Sequence, residues 1–521
     1  MTMEDFVPKR PLLTIICCAA LLLGAVEPAA AGKSNDTLVW STSNEIDTAD
    51  LYYQNLREVV ILAHLVCDTL IHHDPISGAY KPLLAESYGW TDDLTLDVTL
   101  RKGIKFHNGK AFGAEDVAYT LNYASKPENG VVTALVADWI KSVEVVAPDK
   151  VRIHAKHPTP AAFEFLSGVT PIYPVGHYES GASAADGKKS NSRGGIVPIC
   201  TGPYKIEKFT PGQSAELVKN PDYFAASPKG QPSIGKIVYR TIPNAATQVA
   251  ELITGGVDWI WDASPDNAAK LGKMPNITVK AAPTTRMSFL SLDAAGRSGK
   301  NPMQDVRVRR AVYHAIDRQA ITRDLVGEGA AVLDSMCAPA QFGCATDVTV
   351  YPYDPAKAKA LLAEAGYPNG FSMPLYAYRD RPYSEAVVGF LRKVGITADL
   401  RFLQWTALRP IVQQDGKAQM AQLTWGSQGI LDASASVSNY FEGSADDYAR
   451  DPEVEAWLKA ADSTTDAAKR KDLYAKALKK IADQAYFVPI FLYGRNYAFN
   501  SQLDYPVTPD ELAHFYLAKW K

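Results

Sequence analysis

The sequence predicts an α/β protein of roughly two or three domains. Its 521 residues, 47% of them hydrophobic, are enough to bury large cores. The stretch "LTLDVTL" at 94–100 alternates apolar and polar residues, as a half-buried strand does. Residues 373–403 have the pattern of a strand, a helix and a second, parallel strand. Strands and helices therefore alternate along the chain.

The stretch "FHNGKAFGAEDV" at 106–117 tests whether the protein is an enzyme, because it holds a histidine and two adjacent acids. His107 lies in a turn, and Gly113 stands where a helix N-cap is expected. Glu115 and Asp116 then fall in the first helical turn, where carboxylates suit the helix dipole. We therefore interpret this stretch as a turn that leads into a helix, preceded by a second short strand, "IKF", at 104–106.

Later elements follow the same alternation. One helix is expected after Asp305, and another starts after Asp354 and ends at Gly366. A third helix over 467–483 leads into the apolar stretch "AYFVPIFLY" at 485–493, which we expect to be a buried strand.

The N-terminal residues have the pattern of an export signal. Lys9 and Arg10 precede an apolar run, residues 11–26, and the small residues 29–31 follow. This order predicts a signal peptide, residues 1–31, cleaved after about Ala31. Cys17 and Cys18 lie inside the apolar run, which is the wrong place for lipid attachment, so we expect a free periplasmic protein.

Four cysteines remain after that cleavage. An even number in an oxidising compartment favours disulfides. Cys337 and Cys344 bracket a short loop and are the obvious pair. Cys67 and Cys200 would then pair by elimination, but the sequence leaves this open.

The composition and the missing motifs exclude several classes of function. The 54 basic and 57 acidic residues are nearly balanced, so no nucleic-acid partner is expected. We find no GxSxG, HExxH, GxxxxGK[ST] or GxGxxG motif, and therefore predict no catalytic residue, no metal ligand and no cofactor. A secreted hydrolase is the less favoured alternative, as is a receptor that senses a solute for signalling.

Four segments carry a resemblance to a known family. They are "LAESYGWTDDLTLDVTLRKGIKFHNGKAFGAEDVAYTL", "TGPYKIEKFTPGQSAELVKNPDYF", "DVRVRRAVYHAIDRQAI" and "YDPAKAKALLAEAGY". In this order they resemble the family 5 extracytoplasmic solute-binding proteins, the peptide- and nickel-type receptors of ABC importers. The resemblance covers residues from about 37 to 500.

The resemblance implies a two-lobe periplasmic binding protein fold, type II and cluster C-like, with a hinge of two crossings. Its first lobe would hold residues 33–79, 201–288 and 489–521, with an extra subdomain at 80–200. The second lobe would hold residues 289–488, and the crossings would lie near Met287–Leu292 and Phe487–Phe491. Such a receptor closes on its solute and delivers it to a membrane permease. We expect a monomer.

The resemblance also points to a ligand loop. In peptide-binding members an aspartate three residues after a tryptophan holds the peptide's ammonium group. Here Trp425 matches the tryptophan, but Gln428 stands in the aspartate's place, and Asp432 matches a second aspartate of the motif. Asp432 or another acid, such as Glu45 or Asp47, could take over the ammonium group, or the ligand has no free N-terminus. Di- or oligopeptides, opines, sugar conjugates, modified peptides and nickel chelates all stay possible ligands.

Further candidate ligand contacts come from loops that follow strands. Ser43, Asn44 and Glu45 follow the first predicted strand, although they could equally cap a helix. Arg379 could bind a carboxylate, whereas Arg381 suits a surface ion pair better. Tyr440 could line the pocket or belong to the core. The two tryptophans of "DWIWD" at 258–262 could likewise line the pocket or pack in the core.

Overall fold

The computed structural model describes residues 31–54, 56–132, 137–180, 197–426 and 430–521. The predicted signal peptide, apart from its last residue, lies outside the described residues. In the part of the chain that the structure describes, no helix is long and apolar enough to cross a membrane.

Strands and helices alternate, as the sequence predicts. In chain order the strands are β1 Thr37–Thr42, β2 Ile71–His73, β3 Tyr80–Pro82, β4 Ala85–Asp92, β5 Thr95–Leu100, β6 Ile140–Ala147, β7 Lys150–Ala155, β8 Tyr204–Thr210, β9 Ser214–Lys219, β10 Lys236–Thr241, β11 Trp259–Ile260, β12 Ile277–Leu292, β13 Ala331–Val332, β14 Phe371–Ala377, β15 Ile396–Phe402, β16 Met420–Trp425, β17 Phe487–Asn500, β18 Leu503–Asp504 and β19 Lys519–Trp520. The α-helices are α1 Arg57–Val66, α2 Ala114–Ala124, α3 Ala162–Gly168, α4 His177–Ser180, α5 Ala245–Thr254, α6 Pro265–Leu271, α7 Val306–Ala315, α8 Arg318–Ile321, α9 Pro355–Glu364, α10 Arg381–Lys393, α11 Trp405–Arg409, α12 Val437–Phe441, α13 Pro452–Asp462 and α14 Ala467–Asp483.

Polar side chains fix the starts of several helices. The carboxylates of Asp305 and Asp354 accept hydrogen bonds from backbone N–H groups in the first turns of α7 and α9. Asp451 and Asp466 do the same for α13 and α14. These caps satisfy N–H groups that have no partner within the helix. The predictions of helices after Asp305 and Asp354, and over 467–483, are therefore confirmed.

One large sheet runs through both halves of the molecule. Its strand order is β15-β14-β16-β12-β17-β11-β1-β10-β9-β8, and β13 also pairs with β17. We call β1, β8–β11 and α1, α5 and α6 the first half, and β13–β16 with α7–α14 the second half. The pair β12 and β17, which we call the crossing strands, lies between them in the sheet. The βαβ unit predicted in the second half is confirmed, because β14 and β15 pair in parallel around α10.

The crossing strands pair along most of their length, with an irregular segment between Pro283 and Met287 and a further register shift between Ser288 and Phe289. Ile277–Pro283 pairs with 494–500, and Met287–Ser291 pairs with 487–492. The register shifts between Pro283 and Met287, where the strands pass from one half to the other. The predicted crossings at Met287–Leu292 and Phe487–Phe491 lie on these strands, immediately on the second-half side of the irregular segment. The exact lobe boundaries given above stay a prediction.

A second, four-stranded sheet with the order β4-β5-β7-β6 lies within residues 80–200. Helix α2 packs on it, and Leu96, Val98 and Leu100 of β5 point into a shared core. The predicted strand at 94–100 is thus confirmed. The expected "IKF" strand is wrong, because Lys105 makes only an isolated bridge to Ala111. The turn that follows leaves no room for a longer ladder.

The stretch at 106–117 is a turn that leads into α2. Gly109 N–H donates to the carbonyl of Phe106, and the ring Nε2 of His107 lies 3.1 Å from the carbonyl oxygen of Gly202. Gly113 is the N-cap of α2, and the Asp116 carboxylate accepts from its N–H at 2.9 Å. Asp116 therefore caps α2 and His107 contacts a neighbouring backbone carbonyl, so the stretch has a structural role, as the sequence predicts.

Both predicted cysteine pairs are disulfides in the structure. Cys337 and Cys344 close a loop with a sequence separation of 7 residues in the second half. Cys67 and Cys200 join the end of α1 to the segment before β8. The second bond spans 133 residues, and closing so long a loop restricts the unfolded chain strongly.

Three histidines make the stability of the fold depend on pH. Burial lowers the pKa of His64 to about 3, of His72 to about 2 and of His107 to about 4. An unfolded histidine titrates near 6.5, so below that pH the unfolded chain binds more protons than the folded chain. We therefore expect the free energy of unfolding to fall as pH drops from about 6.5 toward 4, by up to about 1.4 kcal/mol per pH unit for each histidine.

Urea unfolding at pH 7.5, 6.0 and 5.0 measures this dependence. The substitution His72→Gln removes one of the three groups and should flatten the loss of stability below pH 6.5. His157→Gln, at an exposed position, is the control and should follow the wild-type curve. Equal slopes for the wild type and His72→Gln would contradict this assignment.

Candidate ligand-binding site

The carboxyl ends of the parallel strands in both halves point toward the crossing. In the first half, β1 pairs in parallel with β10 and β11. In the second half, β14 pairs in parallel with β15 and β16, and Trp425 at the end of β16 lies opposite Met287 of β12. Ligands of open α/β sheets bind outside the carboxyl ends of the strands. Because both sets of ends converge on the irregular segment, we place the candidate site there.

The first half contributes the loop after β1. Ser43, Asn44 and Glu45 are exposed at the end of this strand. The Asn44 amide donates to the Glu58 carboxylate at 2.9 Å, and its carbonyl accepts from the Tyr239 hydroxyl. Asn44 is thus held in place, while the side chains of Ser43 and Glu45 stay exposed at the edge that faces the crossing.

Trp425 and Tyr440 meet in the second half. Their rings pack edge to face with centroids 5.8 Å apart, and Tyr440 also packs on Phe289. Tyr440 is buried, so its place is in the second-half core. Trp425 is half-buried, and its indole N–H has no hydrogen-bond partner among the described residues. The structure therefore leaves Trp425 as the better ligand contact of the two.

Asp432 forms a buried ion pair with Arg470. Its two carboxylate oxygens accept from Arg470 Nη1 at 2.5 Å and Nη2 at 2.9 Å, and both side chains are buried. It also caps the short helix that follows by accepting from Ser434 N–H. This geometry argues against Asp432 as the partner of a ligand ammonium group. Gln428 lies outside the described residues.

The two arginines after β14 differ in their partners. Arg381 pairs with Glu385 one helical turn away, and both side chains are more than half exposed. Such a pair contributes little to stability, and it agrees with the surface role predicted for Arg381. Arg379 is exposed, and its guanidinium carbon lies 5.8 Å from the centre of the Tyr378 ring. Arg379 therefore stays a proposed contact at the end of β14.

An ionic cluster that the sequence reasoning missed lies beside the crossing. We call it the arginine centre: Arg57, Arg286, Arg495, Asp262 and Glu511. Glu511 accepts from Arg57 Nη2 at 2.9 Å and from Arg495 Nε at 2.6 Å, and Arg286 Nη2 lies 3.7 Å from the same carboxylate. Arg495 also pairs with Asp262. Five residues from distant parts of the chain thus form one group.

Burial and repulsion act on the charges of this centre. Burial lowers the pKa of Arg57, Glu511 raises it, and Arg495 and Arg286 lower it further. Burial opposes ionisation of Glu511, but Arg495, Arg57 and Arg286 hold its pKa below its usual range. The cluster is therefore rich in cations, with one buried carboxylate at its middle. The guanidinium carbons of Arg57 and Arg495 lie 5.1 and 5.8 Å from the Trp261 ring centre.

The segment after the ligand loop is fixed from both sides. Phe342, in the loop closed by the Cys337–Cys344 disulfide, forms a parallel bridge with Asp432, and the Gln341 amide donates to the carbonyl of Asp432 at 3.1 Å. From the other side, the buried carboxylate of Glu164 in α3 accepts from Leu431 N–H at 2.8 Å. Glu164 also accepts from the Tyr80 hydroxyl. This carboxylate therefore links the four-stranded-sheet region to the second half.

A cavity of about 550 Å³ adjoins this link. His73, Gly78 and Tyr80 border it on one side, and Phe342, Leu431 and Lys471 border it on the other. Trp425 thus lies at the carboxyl end of β16, and Leu431 lies at the border of an open space between the two parts of the molecule.

A two-part α/β protein joined by two crossing strands, with a candidate site at the crossing, belongs to the class of hinged solute-binding proteins. A family model described as bacterial extracellular solute-binding proteins, family 5 (middle region), matches residues 79–448. The chain belongs to this family.

Known proteins resemble the chain over most of its length. The glutathione-binding protein GsiB of Salmonella choleraesuis (strain SC-B67) is 29% identical over 429 residues, which cover 79% of this chain and 80% of that protein. The structure of HbpA2 from Haemophilus parasuis has a TM-score of 0.80 at 23% identity and covers 93% of this chain and 100% of that one. The binding protein AgaA from A. tumefaciens R10, in complex with agropinic acid, has a TM-score of 0.71 at 23% identity, covering 93% and 99%.

The substitution Glu164→Ala tests the link to Leu431. It leaves the part-buried Leu431 N–H without its acceptor, which costs up to about 1 kcal/mol locally. We expect faster hydrogen exchange at the Leu431 amide and weaker binding of any solute held by the preceding loop. Hydrogen–deuterium exchange measures the first effect. Glu144→Ala, which removes an exposed partner of His154, should change neither. Unchanged protection at Leu431 would show that Glu164 does not hold the loop.

Proposed function

We propose that this protein is the extracytoplasmic receptor of an ABC importer, and that it captures a small peptide-like solute of the glutathione class between its two halves. The observation that carries the proposal is the convergence of both sets of strand ends on a crossing of only two strands. A solute at this point contacts both halves, so its binding energy favours the closed arrangement. The closed, loaded form would then dock on the membrane permease.

The membership of the family and the glutathione-binding relatives support the peptide-like class. Glutathione binds GsiB, and this chain spans most of that protein's length. A second candidate is an opine, because AgaA, a structural neighbour, holds agropinic acid. Asp432 offers no free carboxylate for an ammonium group, so the amino group of glutathione or of an ordinary peptide would need another partner, such as the exposed Glu45.

The proposed route to the extracytoplasmic space is the signal peptide at 1–31. Cleavage after about Ala31 would release a free protein, which we expect to act as a monomer. Ser43, Glu45, Arg379, Trp425 and Gln428 are the ligand contacts that we propose from the strand ends and from the loop that follows β16.

Thermal unfolding of the exported protein with a panel of solutes tests the receptor function. The panel holds reduced glutathione, agropinic acid, free and N-acetylated dipeptides and a nickel–histidine complex. A solute at about 100 times its Kd should add about 2.7 kcal/mol to the free energy of unfolding, because it binds only the folded state. We expect glutathione to give the largest shift.

The panel also separates the alternatives. If free dipeptides raise the unfolding temperature more than glutathione does and N-acetylated ones have no effect, an ammonium partner exists and ordinary peptides are the preferred solutes. If the nickel complex alone acts, the receptor carries a metal chelate. If no solute of the panel has an effect, the proposed receptor function is contradicted.

A further inference from the structure

The arginine centre holds more positive than negative charge. Three guanidinium groups, of Arg57, Arg286 and Arg495, share two carboxylates. Asp262 is half exposed and pairs with Arg495. Among the described residues, the only carboxylate within 4 Å of Arg57 or Arg286 is that of Glu511. One cation of the centre therefore lacks a matching anion.

Arg286 is the cation with the weakest partner. Its Nη2 lies 3.7 Å from Glu511, beyond hydrogen-bond distance, whereas Arg57 and Arg495 approach the same carboxylate to 2.9 and 2.6 Å. Its Nε is buried and donates no hydrogen bond to any residue that the structure describes. A buried donor without an acceptor costs free energy, and the rest of the centre supplies no acceptor for this one.

The position of Arg286 is in the candidate site. It lies in the irregular segment of β12, between Pro283 and Met287. Its guanidinium packs against Gly426, where an added Cβ would lie 2.9 Å from the guanidinium carbon. The missing side chain at Gly426 leaves room for this guanidinium directly after Trp425, whose indole N–H is also buried without a partner in the described ranges. Two unpaired donors thus border the carboxyl end of β16.

We propose that Arg286 and Arg57 form a carboxylate-binding subsite at the hinge and that the solute therefore carries a free carboxylate. A planar guanidinium binds a carboxylate with two parallel hydrogen bonds, and a charge-assisted bond of this kind is strong where water is excluded. The anion would neutralise the unmatched cation from the cleft side. This inference rests on the proposed receptor function and adds the charge and the orientation of its solute.

The location of the subsite links recognition to closure. Arg57 begins α1 of the first half, and Arg286 is on a crossing strand beside Gly426 of the second half. A carboxylate between them interacts with groups from both sides of the hinge. Glutathione and opines carry such carboxylates, whereas an ammonium group at this position would be repelled by three arginines. The solute's carboxylate, and not its amino group, is thus the end that lies at the crossing.

Binding of reduced glutathione and of its diethyl ester, measured by isothermal titration calorimetry, tests the subsite. Arg286→Gln should weaken binding of glutathione by about 30-fold or more, because it removes one partner of a buried charge pair. Arg286→Lys keeps the charge but not the planar fork, so its loss should be intermediate. The diethyl ester should bind the wild type weakly and should lose little more in Arg286→Gln. Arg323→Gln, whose exposed side chain pairs with Asp324, is the matched control and should bind glutathione like the wild type.

The unfolding temperature of the ligand-free variants separates a binding role from a structural one. In Arg286→Gln, Glu511 still pairs with Arg57 and Arg495, so this variant should be as stable as the wild type or more stable.

Wild-type affinity for glutathione in Arg286→Gln would overturn the subsite and leave the receptor function intact. A large loss of ligand-free stability, with equal losses for glutathione and its ester, would also overturn it. If the wild type binds only solutes that lack a free carboxylate, the subsite is wrong. If it binds no solute of the panel, the receptor function fails first, and the subsite with it.

Discussion

The antiparallel pairing of β12 with β17 is the constraint on which the rest of the structure depends. Backbone hydrogen bonds along these strands join a first-half sheet of β8–β11 and β1 to a second-half sheet of β14–β16. The pairing is interrupted between Pro283 and Met287 and shifts register once more between Ser288 and Phe289. An interrupted ladder lets two rigid bodies move about one short segment. It also fixes where the strand ends of the two halves meet.

Close packing around the crossing restricts the residues allowed there. At Gly494 of β17, an added Cβ would lie 2.4 Å from the backbone nitrogen of Ala330, so the segment before β13 can approach only a glycine. At Gly426 the neighbour is the flexible end of the Arg286 side chain, so the restriction there is weaker. Gly494 therefore allows backbone to pack on a crossing strand, and Gly426 allows a guanidinium group to pack beside β16. Geometry and electrostatics of the site are set by the same few positions.

Local patterns in the sequence predicted the elements well, because caps, periodicity and turn residues are local properties. The helices after Asp305 and Asp354 and the turn at 106–113 follow from neighbouring residues alone. Trp425 could be placed because it follows a strand within a recognisable segment. The role of Asp432 could not, because its partner Arg470 is 38 residues away. The arginine centre was missed for the same reason. Arg57 and Glu511 are 454 residues apart, and no local motif predicts their contact. The adjacent acid and tryptophan at 261–262 were the only sequence signal near it.

Small-angle X-ray scattering of the exported protein, with and without a saturating solute, tests the central claim that a solute with a free carboxylate closes the two halves about the crossing strands. We predict that glutathione lowers the radius of gyration and that its diethyl ester, at the same concentration, does not. Binding of glutathione with an unchanged radius of gyration would contradict hinge closure. An equal decrease with the ester would contradict the requirement for a carboxylate.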